Sequence, residues 1–246
     1  MSIRSEIERE GFALLPEGLL VVQTTELAMM LESRLPSAVE TGRPGVRNVL
    51  EAAPELREWI RRPAIRGLAS AILGDGCFPV RVILFDKTPE GNWRVPWHQD
   101  LSIAVRKRVD GAPVGWGPWS EKEGVVHVQP PVGVLEGMIT TRLHLDNCGE
   151  ENGPLRVLPG THRLGRLGPA EIQAERGRRE ERICAAGIGD VIVMRPLLLH
   201  ASSPARVPGR RRVLHVEWAG QDLPRGLEWF ETGYQSPEPS MSRLMM

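Results

Sequence analysis

The chain has 246 residues, with 31 basic and 31 acidic side chains and no net charge. That length suits a single all-β domain with a full core, and the charge balance argues against nucleic acid or anionic membrane as a partner. Three cysteines without metal-type spacing fit neither a disulfide framework nor a zinc knuckle, no stretch nears the roughly 20 apolar residues of a spanning helix, and the charged start Ser2–Glu6 is unlike a signal peptide, so a cytoplasmic protein is expected.

The first third reads as helical. Thr25 is a candidate cap for a helix through Leu27, Met30, Leu31 and Leu35, whose apolar residues recur at helical spacing;. After Pro54, one apolar stripe from Leu56 through Trp59, Ile60, Ile65, Leu68 and Ile72 runs to the stop Gly74-Asp75-Gly76. Between them lies a loop, Gly42 to Asn48, with Arg43 and Arg47. From Cys77 onward short β-like runs alternate with turn residues. Strands are predicted over Val80–Phe85, Val95–Ile103, Val125–Val128, Met138–Asp146, Leu155–Leu158, Val191–Met194 and Val213–Trp218. One helix, Pro169–Arg179, interrupts them. Strands with no regular helix between them point to a sandwich or barrel. One domain is expected over 1–246, with a helical part over 1–76, a β core over 77–220 and a tail over 221–246 that frays or packs on a neighbour.

Three His-x-acid pairs fall on predicted strands: His98/Asp100, His144/Asp146 and His215/Glu217. Residues i and i+2 of a strand share a face, so each pair can offer an imidazole and a carboxylate to one ion. Two histidines and a carboxylate form the facial triad of non-haem Fe(II) oxygenases. A lone His-x-Asp is weak, since most such tripeptides are ordinary strand or loop residues. A further signal is Gly189-Asp190 leading an apolar run that ends in His200, with Leu197–Leu199 burying its surroundings and Arg211 opening the next strand eleven residues on. Adjacent antiparallel strands would bring His200 and Arg211 into one cavity, a ligand beside a fixed cation for a dicarboxylate.

Several stretches together carry a family resemblance. They are Phe85-Asp86-Lys87, Asn92-Trp93, Trp97-His98-Gln99-Asp100, Leu145-Asp146, Glu151-Asn152-Gly153-Pro154-Leu155 through Thr161-His162, and His200-Ala201-Ser202-Ser203 through Arg210-Arg211-Arg212. In this order, over residues 80–220, the chain resembles the phytanoyl-CoA dioxygenase family of Fe(II)/2-oxoglutarate-dependent oxygenases. The resemblance implies a mainly β fold, a double-stranded β-helix (jelly roll) with N-terminal helices packed on the outside. It also ranks the pairs: His98, Asp100 and His200 become the metal ligands, and His144 and Asp146 fall at a structural position.

Carried over residue by residue, Arg211 matches the arginine for the distal 2-oxoglutarate carboxylate, with Arg210 and Arg212 turned to the other face by strand alternation. Ser202 and Trp116 match positions lining the co-substrate, and Lys87 joins them as a candidate contact. The implied cofactors are Fe(II), 2-oxoglutarate and O2, and the implied reaction hydroxylates an unactivated C–H of a small-molecule substrate with release of succinate and CO2. The carboxylate at Asp100 favours hydroxylation over halogenation, because related halogenases carry a small residue there. The segment Ala104–Gly137, rich in Gly, Pro and Trp, is expected to cover the iron, and Arg47, Arg106, Lys107 and Arg108 are candidates for binding an acid, with solvated surface as the plainer reading. Other classes stay open: a jelly-roll binding protein without catalysis, or a cupin-type metal enzyme. Substrate identity and oligomeric state are not written in the sequence.

Overall fold

The structure, a computed structural model, describes residues 2–36, 45–88, 91–109, 114–207, 209–224 and 226–231. Its centre is two antiparallel sheets facing one another. The strands of the first are β1 (Phe12–Leu15), β2 (Gly45–Val46), β3 (Phe78–Lys87), β8 (Met138–His144), β11 (Val191–Met194) and β13 (Arg211–Ala219), in the order β1-β11-β8-β13-β3-β2. The second holds β4 (Val95–His98), β9 (Leu155–Val157), β10 (Arg182–Cys184) and β12 (His200–Ser202), in the order β10-β9-β12-β4. A third, smaller sheet, β5 (Ile103–Val105), β6 (Trp119–Lys122) and β7 (Val125–Val128), orders as β5-β7-β6. This is the expected mainly β jelly roll.

Alternation along the strands sorts the residues between two faces. On β3 and β13 the outward Val82, Leu84, Leu214, Val216 and Trp218 are buried against helix residues Leu27, Leu31, Leu56, Ile60, Ile65 and Ala69. Each such fully buried aliphatic side chain stabilises the layer by roughly 1.5–3 kcal/mol. The inward residues of these two strands and of β8 are largely polar: Arg81 and Lys87 on β3, Arg142 and His144 on β8, Arg211, His215 and Glu217 on β13. An apolar exterior under helices and a charged interior mark the inside as a ligand cavity rather than a second core.

Local readings shift at several points. The second helix is Val21–Arg34, so Thr25 lies inside it and not at its cap; its hydroxyl donates 2.9 Å to the Val21 carbonyl. The stripe from Leu56 to Ile72 is split into Leu56–Arg61 and Pro63–Leu73, because Pro63 has no N–H to continue the first helix and starts the second instead;. The strand read over Val95–Ile103 is two strands, β4 and β5, with Gln99–Ser102 unpaired between them. Likewise β8 stops at His144, two residues short of Asp146. The segment read as a cover is largely ordered as β5–β7 and a helix, Val132–Glu136. The start of the loop, Gly42 to Pro44, and the tail from residue 232 lie outside the described residues.

Candidate metal centre

His98 and His200 are direct cross-strand partners of β4 and β12, so strand pairing alone sets the two imidazoles side by side, ring centroids 4.1 Å apart. Each ring is oriented by its own backbone. Nδ1 of His98 lies 2.8 Å from the Pro96 carbonyl, and Nδ1 of His200 lies 2.9 Å from the Leu198 carbonyl. A carbonyl only accepts, so Nδ1 carries the proton in both rings and Nε2 presents a lone pair. Both lone pairs face one carboxylate: Asp100 stands 3.7 Å from Nε2 of His98 and 3.6 Å from Nε2 of His200.

The charge states follow from burial. The His200 imidazole is pushed down to about 4 by desolvation, so it is neutral near pH 7;. Burial pushes the Asp100 carboxyl up, but attraction to the His200 and His98 imidazoles in their protonated forms outweighs it in acid, so its pKa lies below the ordinary carboxylate value and it is ionised where the imidazoles are neutral. Three acceptor atoms thus point at one space, all within 4.8 Å of one another. Such a set is repulsive by itself and is satisfied by a cation, and its chemistry is that of the two-histidine, one-carboxylate triad. The donor set fits iron.

Asp100 does not reach this point by the pleat of a long strand, since β4 has ended. Its backbone N–H donates 2.9 Å to the Pro196 carbonyl. Its neighbour Gln99 is bound on three sides: Nε2 donates to the Gly165 and Leu197 carbonyls at 2.8 and 2.7 Å, and Oε1 accepts from Leu167 N–H at 2.8 Å. The loop that delivers His200 therefore also positions Asp100.

The other two pairs do not converge on an ion. The His144 imidazole is buried on the inner face and pushed down to about 3 by desolvation, then by Arg142 and Arg211, whereas Asp146 lies beyond the strand end and takes two bonds from the Arg212 guanidinium at 2.9 and 2.8 Å. His215 accepts from Arg142 at 2.9 Å through Nδ1, while its Nε2 lies 3.5 Å from Glu217. Among the described residues, His98, Asp100 and His200 form the one cluster of metal-type donors.

One cavity of about 460 Å³ holds this triad and extends to both sides. At one end Arg211 and Lys87 are cross-strand partners on β13 and β3, and both are buried. Arg211 donates to the Gly153 carbonyl of the Asn152-Gly153 turn, and Lys87 reaches Ser202 Oγ at 3.2 Å and the Ser203 carbonyl at 3.3 Å. Desolvation, and then the Arg211 charge, lower Lys87 to about 8. Arg210 and Arg212 point the other way, Arg210 to Glu32 and Asp86, Arg212 to Asp146 and Glu32. Trp116 does not line the cavity; it packs against the apolar cluster of Val80, Ile103, Val128 and Leu135. Arg47 lines it, while Arg106 pairs with Glu228 and Arg108 lies over Trp119.

Two cavity arginines, Arg81 and Arg142, escaped sequence reading. The available signal was their parity: each sits at an alternate position with residues of the inner face, Arg142 with His144 and Arg81 with Ile83, Phe85 and Lys87. Without the register of β3 against β13, that face was indistinguishable from the outer one.

Comparison with known proteins agrees with this geometry. A family model described as Phytanoyl-CoA dioxygenase (PhyH) matches residues 34–213. An L-proline trans-4-hydroxylase of Streptomyces griseoviridis is 25% identical over 166 residues, covering 64% of this chain and 53% of that protein, so the chain spans about half the length of this relative. Among solved structures, the non-heme alpha ketoglutarate dependent carbocyclase SnoK from nogalamycin biosynthesis superposes with a TM-score of 0.68 at 16% identity over 89% of this chain and 83% of that one. EctD from S. alaskensis, with 2-oxoglutarate and 5-hydroxyectoine, gives 0.63 at 16% identity, over 89% and 76%. AviO1 from Streptomyces viridochromogenes Tue57 gives 0.63 at 23% identity, over 91% and 96%. At these identities the structures show a shared fold.

Proposed function

The chain belongs to the phytanoyl-CoA dioxygenase family, and from that premise we propose that it is an Fe(II)- and 2-oxoglutarate-dependent oxygenase that hydroxylates a small molecule. The observation that carries this reading is the pair of imidazoles, each fixed through Nδ1–H to its own backbone, whose bare Nε2 atoms face the Asp100 carboxylate. His98, Asp100 and His200 would hold the iron. When bound, the metal supplies activation of O2 coupled to oxidation of 2-oxoglutarate to succinate and CO2.

The protein's own part is binding, orientation and charge. Arg211 and Lys87 offer two buried cations at one end of the cavity, suited to the distal carboxylate of the co-substrate. Ser202, held against Lys87, can donate its hydroxyl proton to the same carboxylate while accepting from the ammonium. The cavity walls, Ile83, Phe85 and Leu155 among them, exclude water from the reacting C–H;. The hydroxylase named among the relatives supports a small polar substrate, and three buried unpaired cysteines support a reducing cytosol.

The test is anaerobic titration of the protein with Fe(II) and 2-oxoglutarate, followed by a succinate-release screen across small-molecule pools. A visible charge-transfer band and substrate-stimulated succinate are the expected results. A protein that binds the screened molecules yet develops no band and releases no succinate would be a binding shell instead.

A further inference from the structure

The co-substrate accounts for one end of the cavity, and the other end carries an unexplained charge. Arg81 lies on the inward row of β3, with Ile83, Phe85 and Lys87. Six residues of strand set it about 20 Å along the wall from Lys87. It is 1% exposed, and none of its three guanidinium nitrogens has a hydrogen-bond partner. Arginine does not shed its proton to relieve this, and a buried unpaired charge is strongly disfavoured.

The acids around it do not answer the charge. Its cross-strand partner Glu217 has its carboxylate 3.5 Å from His215. Glu231 is the strongest electrostatic neighbour, yet it makes no ion pair with Arg81, its carboxylate meets only a weak contact from the Val82 N–H, and burial pushes it up to about 7, so it is only part charged at neutral pH. The other cations of this end sit towards the mouth: Lys122 is exposed, and Arg47 is 3.5 Å from Glu123.

We propose that Arg81 is the specificity residue of the substrate subsite, receiving a carboxylate of the substrate as a two-pronged pair. This rests on the oxygenase reading and adds the substrate class, a small carboxylic acid. The Phe230 ring 5.4 Å from the Arg81 guanidinium carbon offers a π face and no hydrogen-bond acceptor, and one deep, planar cation without an anionic partner matches a planar monoanion. Arg47 and Lys122 at the entrance add a field that draws anions inward.

The experiment adds straight-chain and alicyclic monocarboxylic acids, and their matched primary amides, to the anaerobic Fe(II)/2-oxoglutarate complex and follows the visible band. In the wild type an acid of this panel perturbs the band, and its amide needs about tenfold more or higher. Arg81→Gln raises the acid requirement by about tenfold or more while the band still forms at the wild-type 2-oxoglutarate concentration, and Arg81→Lys recovers part of the loss. If Arg81→Gln does not fold, Arg81→Gln/Glu231→Gln removes both buried charges and takes its place. The proposal is overturned by amides binding as well as acids, by no acid in the panel binding, or by a phosphate monoester binding more tightly than the matched acid. It is also overturned if Arg81→Gln weakens 2-oxoglutarate instead of the acid. Absence of the band in wild-type protein would sink the oxygenase reading on which the word substrate rests, and calorimetry of the acid against wild type and Arg81→Gln then decides whether Arg81 binds a carboxylate at all.

Discussion

Arg210, Arg211 and Arg212 share a residue type and differ in everything their neighbours make of them. Arg211 enters the cavity, while its flanking residues pair with Glu32 of the second helix, with Asp86 on β3 and with Asp146 just past β8. Arg211→Ala is expected to cost about 2–5 kcal/mol of 2-oxoglutarate affinity, and titration of the anaerobic iron complex reads it directly. Arg212→Ala should leave that affinity near wild type and instead lower the melting temperature, because Asp146 loses both guanidinium bonds and keeps only the one from the residue 212 backbone N–H. The reverse pattern would put the strand register off by one. His98→Ala, Asp100→Ala and His200→Ala should each abolish Fe(II) binding measured by equilibrium dialysis, and His144→Ala should not. Lys87 adds a pH signature. Its pKa is lowered to about 8, first by desolvation and then by Arg211, so it is cationic below that value and neutral above. Affinity for 2-oxoglutarate should therefore fall as pH rises from 7 to 9. In Lys87→Arg, which does not titrate there, the profile should be flat; an equally sloped profile would take Lys87 out of the site.

At the scale of elements, short turns hold the site more than long strands do. Gly153 adopts φ +61°, and a Cβ there would collide with the Ser203 carbonyl oxygen, just past β12. The Gly153 carbonyl is itself an acceptor for Arg211. Gly153→Ala thus strains the turn in a left-handed conformation and shifts the arginine's anchor. We expect a stability loss of about 1–3 kcal/mol together with weaker 2-oxoglutarate binding. Chemical denaturation and the titration above measure the two separately. The helices act differently: they cover the outer face of the large sheet and contribute burial, with no residue at the triad.

Across the whole molecule, the two sheets carry complementary parts of one site. The candidate metal donors come from β4, β12 and the loop after β4, the cations from β3, β8 and β13. Ligands that bridge the sheets should stabilise the folded state as a unit. At 100-fold excess over Kd, each binding event adds about 2.7 kcal/mol, which at this size is a rise of roughly 5–10 °C in melting temperature. Adding Fe(II) and 2-oxoglutarate together should exceed either alone, and a chelator should reverse it. No rise in differential scanning calorimetry with both present would contradict the proposed cofactor pair.

Sequence by itself determined the fold class and the identity of the triad candidates. Those depend on local quantities: alternation, turn residues such as Asn152-Gly153 and Gly189-Asp190, and a histidine closing an apolar run. It also placed Arg211 by position against His200. The family resemblance had ranked His98/Asp100 first among the His-x-acid pairs, and the tertiary structure supplies the physical reason that this pair converges with His200, because convergence depends on where strands stop. β4 ends at His98 and a turn held by Gln99 brings Asp100 back, whereas β8 ends at His144 and leaves Asp146 to Arg212. Strand β1, formed by Phe12–Leu15, was equally hidden, since four residues after a helix carry little pattern until β11 supplies their hydrogen bonds. Arg81 and Arg142 were out of reach for the same reason. A charged residue on a strand reads as solvent-facing until a second sheet closes over it, and that closure is a long-range pairing that no single stretch of the chain encodes.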